Sequence, residues 1–182
     1  MQGGNVNMYA INDYVVYGKN GVCKIIDIRK EKFGGAEEQM YCVLEPVHSG
    51  KSTIYTPINR NLDKFREVMS YEEVHDLIQT MPDKEIIWIE DFQVRNERYN
   101  EILKEGDPKH LVGLIKTLHF HHKDLATKGK KMRMTDDKIM RESEKLLYDE
   151  LAYVLEIKPD EVLPFIVGEL ELVDKTVNST EA

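Results

Sequence analysis

Two periods of apolar residues divide the chain. From Tyr9 to about Val68, β-branched and aromatic residues come in short runs separated by glycine-rich or polar breaks. Tyr14-Val15-Val16-Tyr17 is the first run, and Gly18-Lys19-Asn20-Gly21 closes it with an Asn-Gly pair, a hairpin signal. Val22 to Ile28 forms the second run, and Phe33-Gly34-Gly35 opens the next turn. Gln39 to Pro46 is the third, followed by a turn at His48-Ser49-Gly50-Lys51, and Ser52 to Pro57 is the fourth. Short strands at such even spacing predict a small, strongly bent sheet or barrel. A core that small is marginal alone, so packing against a partner or a second domain would help it.

From Ser70 onward the apolar period becomes helical. Ser70-Tyr71-Glu72-Glu73 reads as a capped helix start, with Val74, Leu77, Ile78 and Met81 on one face. Met81-Pro82-Asp83 ends that helix, and a longer one is predicted over about 84–105, carrying Ile86, Ile87, Tyr99, Ile102 and Leu103. Gly106-Asp107-Pro108 stops it and starts the next: glycine suits the exit, aspartate the N-cap and proline the first turn. Leu111, Leu114, Ile115, Leu118 and Leu125 make a heptad-like stripe. After Lys128-Gly129-Lys130, Thr135-Asp136-Asp137 is expected to cap a fourth helix to about Leu155, and Pro159-Asp160-Glu161 a fifth. The fold class is therefore α+β, a small bent β domain at 8–69 followed by a compact helical domain of about five helices at 70–173. Residues 174–182 are expected to fray.

Composition narrows the function classes. No apolar run approaches the roughly 18 residues that span a bilayer. Met1 to Met8 has neither a basic start nor an apolar stretch, so no signal peptide is expected, and Met8 is read as the start after a short leader. Cys23 and Cys42 both lie in strand-like runs, which favours two buried thiols in a reducing cytoplasm over a disulfide. The net charge of −8 opposes DNA binding over the whole surface. Any DNA contact must be local or helped by a partner. One region runs against the overall sign: from Lys116 to Arg141, eight Lys and Arg residues face three aspartates. Such a concentration can footprint phosphates, and Lys128, Lys130, Lys131, Arg133 and Lys138 are its candidates. The cations of the 128–133 segment also precede a helix N-terminus, a ready phosphate seat. The plain alternative is a solvated surface loop.

Catalytic motifs are lacking: there is no Gly-x-Ser-x-Gly, no phosphate loop with its lysine and no dinucleotide fingerprint. The chain is expected not to be an enzyme and to need no cofactor. His119, His121 and His122 invite a metal reading, but no nearby cysteine or His-Glu-x-x-His pattern supplies further ligands, and no metal is expected.

The run from Asn12 to Val22 resembles the opening of CarD-family proteins and the polymerase-interacting domain of the transcription-repair coupling factor. The family pattern is usually Gly-Asp-x-Val-Val-Tyr-Pro-x-His-Gly-Val. Here Asn12 replaces the glycine, Gly18 the proline and Asn20 the histidine, so the turn geometry is expected to differ. The resemblance continues through Tyr41 to Leu44 and Thr53 to Pro57. In the second half it runs from Trp88 to Leu155, with Arg95, Tyr99, the Gly106-Asp107 break and Glu144 to Ala152 as landmarks. It implies a Tudor-like domain that binds the RNA polymerase β subunit by sheet-to-sheet contact. It also implies a helical domain that touches promoter DNA at the upstream edge of the melted region and stabilises the open complex, largely without regard to sequence. The protein would be cytoplasmic and monomeric.

On this reading Thr53, Ile54, Tyr55 and Pro57 form an edge strand offered to the polymerase, with Tyr55 as anchor and Arg29 adding a charged contact. The alternative is that Tyr55 covers the domain's own core. The family uses a tryptophan near the start of the second helix as an apolar wedge against DNA. Trp88 is the chain's one tryptophan, but counting back from Gly106-Asp107 places the family position nearer Phe92. Both are candidates, with a buried core role as the alternative, and Arg95 fits the adjoining basic segment. Two rivals stand beside this reading: a protein–protein adapter without DNA contact, which the net charge favours, and a metal-dependent enzyme built on the three histidines.

Overall fold

The computed structural model describes residues 9–33, 37–48, 52–61 and 64–180. Residues 1–8, with the expected start at Met8, and the expected turn residues Gly34, Gly35, Ser49, Gly50 and Lys51 lie outside them. The chain forms two compact units, Met1–Val68 and Met69–Ala182.

The first unit is an antiparallel sheet of five strands: β1 (Tyr14–Tyr17), β2 (Val22–Glu31), β3 (Gln39–Pro46), β4 (Ile54–Pro57) and β5 (Phe65–Glu67). A four-residue helix, α1 (Ile58–Asn61), precedes β5. The strand order is β4-β3-β2-β1-β5, so β4 and β5 are the edges. One face carries the core: Val15, Cys23, Ile25, Cys42, Leu44, Ile58 and Phe65. Tyr9 and Tyr17 meet Phe65 edge-on at 5.5 and 5.2 Å between ring centres. Between Ile25 and Asp27 the β2–β3 register shifts, a bulge that bends the strand. It restores the alternation, so Ile28 faces the core beside Cys42.

The turns explain the departures from the family pattern. Asn12 sits at φ 79°, in the left-handed region that Asn tolerates better than most residues, where the family has glycine. Gly18 has φ 47°, which proline, locked near −65°, could not adopt. Gly21, with φ 68° and ψ −150°, occupies a conformation that is essentially glycine-only. β5 has no counterpart in the predicted strands. Three residues are too few to show a period, and it exists by pairing with β1. The cysteines are free and buried. Cys23 lies opposite Val15 and Pro46 while Cys42 lies opposite Ile28 and Thr56, several residues apart along the ladder and beyond disulfide reach. Burial pushes the Cys23 thiol up to about 12.

The second unit has five helices: α2 (Tyr71–Thr80), α3 (Phe92–Glu105), α4 (Pro108–Thr127), α5 (Met134–Leu155) and α6 (Val162–Thr180). Their core includes Val74, Leu77, Leu103, Leu111, Leu118, Leu147 and Leu151. The predicted α+β architecture, a Tudor-like sheet followed by five helices, is what forms. Ser70 and Glu73 make the predicted capping box. Gly106 leaves α3 at φ 65°, and Asp107 accepts from the Lys109 and His110 amides at 2.9 and 3.0 Å. Among the described residues no helix is long and apolar enough to cross a membrane.

Three expectations change. Residues 84–90 are not helical; α3 begins after Asp91, whose carboxylate accepts from the Gln93 and Val94 amides. The three β-branched isoleucines there are indifferent helix formers, and the backbone finds other partners: Thr117 Oγ1 accepts from Ile87 N at 3.2 Å, and the Tyr99 hydroxyl donates to Ile87 O at 3.4 Å. α5 begins one residue before Thr135, after Arg133, which makes no side-chain cap; Asp136 lies buried within the first turn. α6 continues to Thr180, past the frayed tail expected from 174. The helical hydrogen bonds run on there, because weak propensity costs only tenths of a kcal/mol per residue (about 0.7 at most for ordinary residues).

Candidate functional site

The sheet unit presents an aromatic and charged surface on the face opposite its core. Cross-strand pairing aligns Asp27, Val43 and Tyr55 in one row and Arg29, Tyr41 and Pro57 in the next. Tyr55 is 41% exposed on the edge strand β4. The Arg29 guanidinium donates to the Tyr55 hydroxyl at 3.2 Å and lies 5.6 Å from its ring centre. Phe33, also exposed, meets Tyr55 at 5.5 Å and Tyr41 at 5.1 Å, both edge-on. Asp27 and Glu31 flank Arg29 at 3.2 and 2.8 Å. Tyr55 thus does not cover the domain's own core. Thr56, its neighbour on the core face, is fully buried and bonds to the Tyr17 hydroxyl and the Asn61 amide, each at 2.9 Å. Those bonds hold β4 from the inside, while among the described residues no strand lies along its other edge. Ile54 and Pro57 are half-buried, and Thr53 immediately precedes the strand. Phe33 lies just past the end of β2, in no element whose period would mark it, and its contacts are with Tyr41 on β3 and Tyr55 on β4.

The helical unit gathers Trp88, Phe92, Arg95, His121, Arg133 and Asp136. Arg95 is 3% exposed and fully engaged. Its Nε and Nη2 donate to Asp136 at 3.3 and 3.1 Å; its Nη1 donates to the carbonyls of Ile89 and Glu90 at 2.6 and 3.1 Å. A guanidinium so enclosed offers nothing to a phosphate, which corrects the expectation of a DNA contact there: Arg95 fastens the 84–90 segment and α5 to α3. Trp88 lies in that extended segment, half-buried against the helical core. Its ring stacks on the His121 imidazole, centres 3.4 Å apart and planes 15° apart, and the Arg95 guanidinium lies 4.2 Å from its centre. Burial lowers the His121 pKa, and the Arg95 charge pushes the same way against Asp136, Asp124 and Glu90. Phe92, the first residue of α3, is half-buried with the exposed Arg133 guanidinium 4.8 Å from its ring centre. A groove of about 380 Å³ adjoins Trp88 and His121, bounded also by Phe120, Lys128 and Lys130.

The basic stretch is partly spent on the fold. Lys116 donates to the carbonyls of Met81, Pro82 and Lys84, closing the end of α2. Lys128 pairs with Asp124 at 2.7 Å, Lys138 with Glu142 at 3.6 Å and Arg141 with Asp137 at 2.9 Å. Lys130, Lys131 and Arg133 are exposed and make no ion pair among the described residues. They form the cationic end of the loop before α5. The three histidines do not converge. His119 bonds to Glu144 at 2.5 Å while His121 faces Trp88, and among the described residues no group of three or more His, Cys, Asp or Glu side chains is placed to hold a metal.

Fold and surfaces together define a two-unit α+β protein whose N-terminal sheet ends in an aromatic edge. Residues 9–69 match the family described as the CarD-like/TRCF RID domain. Its N-terminal domain is thus of the CarD-like/TRCF RID type, a transcription-related domain type that interacts with RNA polymerase. No match is found among curated proteins.

Proposed function

We propose that this chain is a non-enzymatic, cytoplasmic bacterial transcription regulator that docks on the RNA polymerase β subunit through β4 and touches promoter DNA through its helical unit. The observation that carries the first half is the open edge of β4 with Tyr55, Phe33 and Arg29 beside it, inside a domain of the RID type. An edge strand has N–H and C=O groups available to a second strand, and an exposed aromatic beside a guanidinium is the usual composition of an interface anchor. Exposed Arg133 beside Phe92, and Lys130 lining the same groove as Trp88, support the second half, because cations position a protein on phosphates while an apolar ring presses on an unstacked base step. Differential contact with the melted promoter would then shift the closed–open equilibrium. The test is capture of polymerase by the full chain: Tyr55→Glu loses the β subunit while keeping the wild-type circular dichroism, and retention of binding would refute the docking surface.

A second reading, a polymerase-associated adapter with no DNA contact, is favoured by the carboxylates that pair Lys128, Lys138 and Arg141. Salt titration of fork-junction DNA binding separates the two, since phosphate contact gives a slope of about 0.7–0.9 per phosphate neutralised and the adapter gives none.

A further inference from the structure

We infer that His121 is a positioning residue that keeps the Trp88 indole stowed against α4, and so sets how often the indole is free to meet a DNA base. The inference rests on the DNA-contact reading above.

The backbone around Trp88 is fastened on both sides. Thr117 and Tyr99 hold Ile87, and Arg95 holds the carbonyls of Ile89 and Glu90. Displacing the indole therefore means rotating its side chain, not moving the segment. Of its two ring neighbours, Arg95 is itself locked by Asp136 and cannot follow or yield. His121 is the other. It projects from the middle of a long helix, is only half-buried and lies nearly parallel to the indole at 3.4 Å. The groove of about 380 Å³ alongside gives the indole room to swing, and its rim carries what a nucleotide needs: Phe120, 60% exposed, for stacking, and Lys130 for a phosphate. In its stowed position the indole has its ring against His121, so a base and His121 compete for it. A wedge available only a fraction of the time binds more weakly by that fraction. One aromatic pair corresponds to roughly a two- to tenfold change in such an equilibrium.

Trp88 is the only tryptophan, so fluorescence excited beyond the tyrosine absorption band reports on it alone. The full chain, His121→Ala and His121→Phe are compared by acrylamide quenching, then by affinity for a fork-junction DNA with polymerase present. His121→Ala should raise the quenching constant at least about twofold and tighten DNA binding roughly two- to tenfold, while His121→Phe, which keeps a stacking ring, returns both to wild type. Unchanged quenching in His121→Ala overturns the inference. So does greater quenching without tighter DNA binding, and Trp88→Ala then says how far the failure reaches. If it weakens DNA binding, the wedge stands and only the stowing role is lost. If it leaves DNA binding unchanged, the DNA-contact reading falls as well.

Discussion

Single residues fix the geometry of both surfaces. Gly21 adopts backbone angles that side chains other than hydrogen resist, so Gly21→Ala should destabilise the sheet unit by about 1–3 kcal/mol, read as a lower denaturation midpoint. The same midpoint in Asn12→Gly should stay near wild type, because the left-handed φ at that position suits glycine. His121 links charge to packing. Burial, helped by Arg95, depresses its pKa against the opposing pull of Asp136, Asp124 and Glu90. A group whose folded pKa lies below its unfolded value of 6.5 contributes stability that is complete above 6.5 and is lost as the pH falls through the folded value. The thermal midpoint of the wild type minus that of His121→Gln should accordingly fall on acidification from pH about 7.5 to about 5; a constant difference would contradict this. None of that is readable from His119, His121 and His122 in sequence, because the stacking partner of His121, Trp88, lies 33 positions away. Arg95 shows the same limit: a basic residue beside a basic segment reads as a phosphate contact, and its true partner, Asp136, is 41 positions away.

At the scale of elements, local signals carried well where the chemistry is local. The capping box at Ser70 and Glu73 and the Gly106-Asp107-Pro108 hinge between α3 and α4 are written in adjacent residues. The 84–90 segment departs from its helical spacing because isoleucines so placed also suit an extended strap whose backbone Thr117, Tyr99 and Arg95 bind. β5 was invisible for the complementary reason, since its pairing with β1 is the whole of its signal. Phe33, just past the end of β2, belongs to no element with a period. The strap makes a sharp prediction: Arg95→Ala leaves Asp136 as an unpaired buried carboxylate and frees two carbonyls, costing the helical unit about 3–5 kcal/mol. Urea denaturation checks it. Arg95→Ala with wild-type stability but weaker DNA binding would instead return Arg95 to the phosphate-contacting group.

For the whole molecule the acidic balance and the small cationic patch fit a division of labour. Three exposed cations, Lys130, Lys131 and Arg133, would make only a weak DNA site by themselves, since Asp124 pairs with the neighbouring Lys128. On the proposed function, docking the sheet unit on polymerase would raise the local concentration of promoter DNA near the helical unit, and affinities too low to matter in solution would become sufficient. Lys130→Glu with Lys131→Glu should lower the salt slope of promoter binding by about two phosphates while leaving polymerase capture intact. The most direct test is the affinity of the full chain for fork-junction DNA measured with and without RNA polymerase. Tethering predicts binding at least tenfold tighter with polymerase, the gain abolished by Tyr55→Glu. Equal affinity in the two conditions, or a gain that survives Tyr55→Glu, would contradict it.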